Sequence, residues 1–200
     1  MTSDENPGET LEMRPRTPGE RFEMEKLGLL DAAGEPLSLP LSGGPVRGER
    51  YVKRWAISNR EVLNEAHEYQ PTPSAFARGM RTDVRAGSSI LWISGTASVD
   101  AEGRSVYPGD FRAQCWRTLR NITELLRSEG ANWHDIVRTT CYLRDIERDY
   151  RDFNEVRTHF LKAQNLEPLP ASTGIQARIC RQDLLVEIEA IAMLEGPAEA

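Results

Sequence analysis

Glu187 and Glu189 stand two positions apart in the run from Leu184 to Met193, and every other member of that run is apolar. Read as a strand, the run sends alternate side chains to opposite faces. Leu184, Val186, Ile188, Ala190 and Ala192 take one face. Leu185, Glu187, Glu189 and Ile191 take the other. Two carboxylates on an apolar strand are costly to withdraw from water unless they are paired or used. A carboxyl held in such a place can donate a proton or orient a water molecule. It can equally be structural, bonded to arginine or backbone where two subunits meet. Both uses are open for Glu187, and Glu189 is expected to be structural.

Other chemistries have less to build on. His67, His134 and His159 are scattered and follow no ligand spacing, so no metal site is expected. Gly43-Gly44-Pro45 lacks the Lys-Ser/Thr pair of a phosphate loop. Cys115, Cys141 and Cys180 are odd in number and have no CxxC spacing, as reduced thiols in a cytoplasmic protein would. Cys115 and Cys141 fall on core positions, and no nucleophile sits beside a recognisable base. The reading is therefore cofactor-independent.

The elements that must carry these residues follow from pattern. Residues 1–20 hold three prolines and few large apolar side chains, which predicts a disordered tail. Residues 21–72 form an elaboration, with a short helix through Phe22, Met24, Leu27, Leu29 and Leu30 and a strand over Tyr51–Ile57. Ser74–Met80 reads as a first strand and Thr82–Arg85 as its hairpin partner. Ile90–Ser94 is too short for a helix and reads as a strand buried on both faces. Asp110 can cap a helix whose stripe is Phe111, Cys115, Leu119, Ile122 and Leu126, ending at Gly130. Ile136–Leu143 is a strand. A second helix runs from about Asp149, with Phe153, Val156 and Phe160 buried. Ser172–Ile179 and Leu184–Met193 complete the set.

The order is β-β-β-α-β-α-β-β, an α+β fold with a mixed sheet and two helices on one face. The other face then needs cover, which a symmetric oligomer supplies. The chain has 200 residues, 39% hydrophobic and 28% charged, with no apolar run near the ~20 residues of a membrane span. Its opening, MTSDENPGET, lacks the basic and apolar parts of a signal peptide. A formal net charge of −6 disfavours a phosphate-binding surface. Neither a membrane nor a nucleic acid is an expected partner.

Particular strings sharpen the picture. Ile93-Ser94-Gly95-Thr96-Ala97-Ser98, Gly109-Asp110-Phe111, Ala131-Asn132-Trp133, Thr139-Thr140-Cys141-Tyr142-Leu143, Phe153-Asn154-Glu155-Val156 and Val186-Glu187-Ile188-Glu189-Ala190-Ile191-Ala192 resemble the RidA/YjgF superfamily. The resemblance covers nearly all of 73–194, within a domain taken as 73–196. It implies a RidA-like, chorismate-mutase-like subunit, a homotrimer, and small-molecule sites in clefts between subunits. Glu187 matches the family glutamate that positions water for imine hydrolysis. Asn154 matches a residue near the cleft, although a structural hydrogen bond also suits it.

Two departures stand out. RidA-type imine deaminases carry an arginine just after the proline that enters the fifth strand, a bidentate clamp on the substrate carboxylate. Ala171 occupies that place here, and Phe76 replaces a family tyrosine. Arg78, Arg178 or Arg181 could supply the cation, or each could form a surface ion pair. Backbone N–H groups around Thr173 and Gly174 could bind a carboxylate or carbonyl oxygen. Pro73–Arg78 and Ile179–Glu189 also resemble the C-terminal half of chorismatases, which would place Cys180 at the pocket; packing is its other reading. The expected activity is hydrolysis or water addition–elimination at a small carboxylated imine, enamine or enol ether, in specialised metabolism. A non-catalytic metabolite-binding trimer and a chorismatase-like hydrolase are the alternatives.

Overall fold

The computed structural model describes residues 13–42, 46–48, 51–61, 64–68 and 74–195. The expected tail up to residue 12, Gly43-Gly44-Pro45, Pro73 and the domain end at 196 lie outside the described residues, as does the side chain of His67. In chain order the elements are α1 (Pro18–Lys26), β1 (Arg54–Ala56), β2 (Met80–Thr82), β3 (Ser89–Ala97), α2 (Phe111–Ser128), β4 (Ile136–Leu143), α3 (Ile146–Ala163), β5 (Ala171–Gln176) and β6 (Val186–Leu194).

A four-stranded mixed sheet in the order β3-β6-β4-β5 forms the centre of an α+β fold. β4 and β5 run parallel, and β6 is antiparallel to both β3 and β4. The helices α2 and α3 therefore each join two parallel strands, the connection that parallel strands require. Asp110 Oδ1 accepts from Ala113 N at 3.0 Å and starts α2 as its sequence foretells. Gly130, at a φ of 68°, takes the left-handed turn that releases the chain. α3 begins three residues before the expected Asp149, because Asp145 accepts from Arg148 N and caps it there.

The core lies between this sheet and the two helices. Leu119, Ile122 and Leu126 of α2 and Phe153, Val156 and Phe160 of α3 meet Val186, Ile188, Ala190 and Ala192 of β6. Trp133 packs edge-on to Phe160, with ring centroids 4.9 Å apart, and its indole N–H donates to Thr123 Oγ1 at 2.9 Å.

Two expectations need correction. Residues 13–20 are packed: Met13 is buried, and Pro18–Lys26 forms α1 against α2. The tail reading counted large apolar residues, whereas α1 docks largely by charge. Ser74–Met80 and Thr82–Arg85 do not pair. Ala77 makes a single bridge to Ala171, and β2 instead pairs with β1, with Trp55 opposite Arg81. Ala75 and Ala77 are drawn into the core edge beside β5, which pulls that segment out of a hairpin. Within the single chain β3 is covered on one face, and the other is the face for which the sequence expects cover from an oligomer. Leu91 and Ile93 meet the core, whereas Ile90 and Trp92 are 43% and 73% exposed.

The ion pairs that tie α1 to α2 are buried. Glu20 meets Arg112 at 2.5 Å, and Arg112 also reaches Asp152 and Glu155. Glu23 meets Arg120 at 2.5 Å and accepts from the Tyr107 hydroxyl at 2.8 Å. Burial, then the bond to Glu23 and its charge, push the Tyr107 phenol up to about 12. Thr17 caps α1 through Glu20 N and donates to Asp110 Oδ2 at 2.6 Å, so the starts of α1 and α2 are tied together. Buried charges tolerate loss of a partner poorly. Glu20→Ala is expected to destabilise the fold by roughly 2–4 kcal/mol, below the full cost of an orphaned charge because Asp152 and Glu155 remain. Chemical denaturation checks this, with Glu25→Ala, an exposed neighbour, as the control.

Candidate functional site

β6 separates two environments by the alternation of its side chains. Val186, Ile188, Ala190 and Ala192 face the helices, and Glu187, Glu189 and Ile191 are half-buried on the opposite, open face. Register extends that face over the neighbouring strands. Tyr142 lies opposite Glu187, Thr140 opposite Glu189 and Arg138 opposite Ile191. On β5, Ala171, Thr173 and Ile175 lie beside Arg138, Thr140 and Tyr142. Two carboxylates, a phenol and a guanidinium thus share one sheet surface. The Tyr142 phenol is held above its ordinary range by desolvation, by the charge and hydrogen bonding of Glu189, and by the charge of Glu187.

Gly95 fixes where the Glu187 carboxylate lies. β3 bulges against β6 between Ile93 and Thr96, and Glu187 folds into the space this leaves. A Cβ on Gly95 would stand 2.0 Å from Glu187 Oε1 and 2.9 Å from its Cδ. The glycine is needed for room, so the sequence Ser94-Gly95-Thr96 and the acid at 187 form one device. Ala97 faces Glu187 in register and packs with Ile179 and Leu184, closing that end of the face with apolar side chains.

The structure sorts the residues singled out from sequence. Thr173 joins Glu187 on the open face, and its hydroxyl accepts from Arg138 at 3.3 Å. Gly174 is turned the other way, towards the Tyr150 ring. Asn154 is buried and accepts from Arg157 at 2.5 Å, and Phe76 stacks on Arg157 with 5.7 Å to its ring centroid; both belong to the helix side. Arg78 donates to Asn64 O, and Arg181 donates to Gly103 O. Arg178 and Cys180 are exposed on the loop between β5 and β6. Arg138 was missed. Its signal was the alternation Arg138, Thr140, Tyr142 in a strand whose other positions are mainly core.

This sheet, with two crossover helices on one face and acids on the other, defines a RidA-like α+β subunit. The family model described as Endoribonuclease L-PSP matches residues 73–194. A RutC family protein of Pyrococcus abyssi is 31% identical over 107 residues, covering 54% of this chain and 80% of the relative. The mouse 2-iminobutanoate/2-iminopropanoate deaminase is 30% identical over 107 residues, covering 54% and 75%. The crystal structure of YyfB, a Rid family protein of unknown function from Yersinia pestis, superposes with a TM-score of 0.54 at 25% identity, covering 70% of this chain and 97% of that one. The chain belongs to the Endoribonuclease L-PSP family, within the RidA/YjgF superfamily.

Gly95→Ala isolates the positioning of the acid. The clash falls on the far end of a flexible side chain, so stability is expected to change by less than about 1 kcal/mol. The carboxylate, however, must leave its place. Thermal denaturation should be nearly unmoved, while a crystal structure of the variant shows Glu187 rotated away from β3.

Proposed function

We propose that the open face, closed by further copies of the chain in a homotrimer, is the wall of a cleft in which Glu187 directs water at a small carboxylated imine, enamine or enol ether. The observation that carries this reading is the seating of Glu187 against Gly95, with Tyr142 and Glu189 beside it on the same face. For an imine, the water oxygen bonds to the C=N carbon while Glu187 takes the water proton. Glu187 then returns that proton to nitrogen, giving a carbinolamine; it next takes the carbinolamine hydroxyl proton and passes it to the amine, so the C–N bond breaks as C=O forms, and a carbonyl compound and ammonia leave. No cofactor is needed. The mouse relative is named for 2-imino acids, which supports the substrate class. The net charge of −6 favours a small metabolite over RNA, despite the family's name.

The substrate carboxylate needs a cation, and Ala171 leaves the position of the clamp arginine empty of charge. Arg138 lies directly opposite Ala171 in register and carries a guanidinium on the same face. We assign it the carboxylate. Specificity would then differ from that of relatives with a clamp on β5, which fits a role in specialised metabolism. The absence of the clamp also favours a second reading, a cleft that binds a metabolite without turning it over. 2-Iminopropanoate generated in situ and chorismate, with pyruvate as the product of either, are the first substrates to assay. Glu187→Gln is expected to lower kcat by about 10²–10⁴-fold with the fold retained, and Arg138→Ala to raise KM far more than it lowers kcat. Saturable binding of either compound with no pyruvate released in the wild type would move the protein to the second reading.

Closure by a second copy rests on the apolar residues beside the acids. Trp92, Ile90 and Ile175 are exposed on this face, on the two strands that flank β6 and β4, and exposed apolar residues that share a face with polar ones suit a protein–protein contact. Trp92→Glu would place a charge on the most exposed apolar residue of that face. Sedimentation velocity should find a trimer for the wild type and monomers for the variant; a wild type that sediments as a monomer removes the cleft.

A further inference from the structure

Register sets Tyr142 directly opposite Glu187, yet the two side chains turn apart. Glu187 folds towards β3, into the room that Gly95 leaves, with its Oε1 where a Cβ on that glycine would clash. Tyr142 is left to its diagonal neighbour. Glu189 stands opposite Thr140, one pair further along, and diagonal pairs across antiparallel strands lie within reach of an aromatic side chain. The phenol gives its hydrogen bond to Glu189. A phenol has a single proton to donate, so that proton is committed and the oxygen lone pairs are left for another partner.

This divergence leaves the strip above β6 open between the two side chains. Glu187 borders it on the β3 side and Tyr142 on the β4 side, and Ile188 between the two acids points into the core. The charged groups that face Tyr142 are Glu187 and Glu189 from β6 and Arg138 from its own strand. β3 and β5 contribute no charged residue. Arg138 is drawn off to the Thr173 hydroxyl at 3.3 Å. Beside Glu187 the strip is therefore lined by acceptors, namely two carboxylates and the phenol oxygen. A ligand atom seated there must bring its own hydrogen to satisfy them.

We propose that Tyr142 is a second catalytic residue of this site, its oxygen accepting the N–H of the substrate nitrogen, and that Glu189 is its positioning residue, holding the phenol proton. The assignment rests on the reading of Glu187. An imine nitrogen carries one hydrogen and one lone pair in the plane of its double bond. Turning the N–H towards β4 leaves the lone pair aimed at β3, where Glu187 returns its proton. The carbinolamine nitrogen still has an N–H for Tyr142, and its lone pair again faces Glu187 for the second proton. Tyr142 itself neither gains nor loses a proton. Desolvation, the charge and hydrogen bond of Glu189, and the charge of Glu187 hold the phenol above its ordinary range, which keeps it neutral. Its part is to fix the direction of the nitrogen, and a misdirected lone pair slows proton transfer.

The test compares the full chain as wild type, Tyr142→Phe, Glu189→Ala and the double variant, with 2-iminopropanoate generated in situ. Each change trims a half-exposed side chain, and thermal denaturation checks that the fold is kept. Tyr142→Phe is expected to lower kcat by roughly 10–100-fold with KM nearly unchanged, since the substrate still binds but its nitrogen is no longer aimed. Glu189→Ala should lower kcat in the wild-type background and add nothing in the Tyr142→Phe background, because its effect passes through the phenol. A purely structural glutamate would cost the same in both. A second arm needs no turnover: the phenolate absorbance that Tyr142→Phe removes should appear at lower pH in Glu189→Ala. Equal losses from Glu189→Ala in both backgrounds, or a Tyr142 titration that Glu189→Ala leaves in place, would overturn the assignment. Turnover by wild type and Tyr142→Phe alike sinks the assignment alone, whereas a wild type that releases no pyruvate sinks the reading of Glu187 and the assignment with it.

Discussion

A strand at the middle of a sheet must satisfy two surroundings at once, and β6 does so through a period of two. Val186, Ile188, Ala190 and Ala192 are sealed under α2 and α3, which holds the strand in one register, since a slip of one residue would drive Glu187 and Glu189 into the core. The hydrophobic layer therefore fixes the position of the acids from behind. β4 and β3 are aligned against β6, and through that alignment Tyr142, Thr140 and Arg138 inherit their places. The chemistry of the open face is thus an output of packing on the closed one.

Charge plays two different parts in the same molecule. On the outer side of α2, Glu20 and Glu23 are fully withdrawn from water, and each is surrounded by cations and donors, so a short polar helix serves as a packing layer. Beneath α3, Arg157 is nearly as withdrawn, with rings, an amide and hydroxyls for company. The first arrangement is complete within the chain. The second leaves Arg157 Nε–H without a hydrogen-bond partner and, among the described residues, has no carboxylate beside the charge.

The sequence carried the central elements well. The stripe of α2, its Asp110 cap, β4 and β6 follow from periodicity because a buried face imposes it. Glu187 was visible for the same reason, as an acid in an apolar alternation. α1 was not visible, because hydropathy scores a glutamate as solvent-loving and cannot register that Arg112 or Arg120 waits for it some 90 residues further on. The pairing of β1 with β2 was also hidden: both are three residues long, and their partnership is set by where the intervening chain runs. Arg138 is hidden in the sequence because it lies 33 positions before Ala171, whereas neighbours in a sheet are set by register.

The notch at Gly95 has a consequence of its own. It is made by the lack of a side chain, so no gradual substitution can tune it: any larger residue displaces the acid outright, and only glycine leaves it in place. The bulge and the glutamate must then change together or not at all. A related protein that keeps the acid but places a bulkier residue in the bulge must aim its carboxylate along a different line, and the shape of the molecule it accepts should differ accordingly.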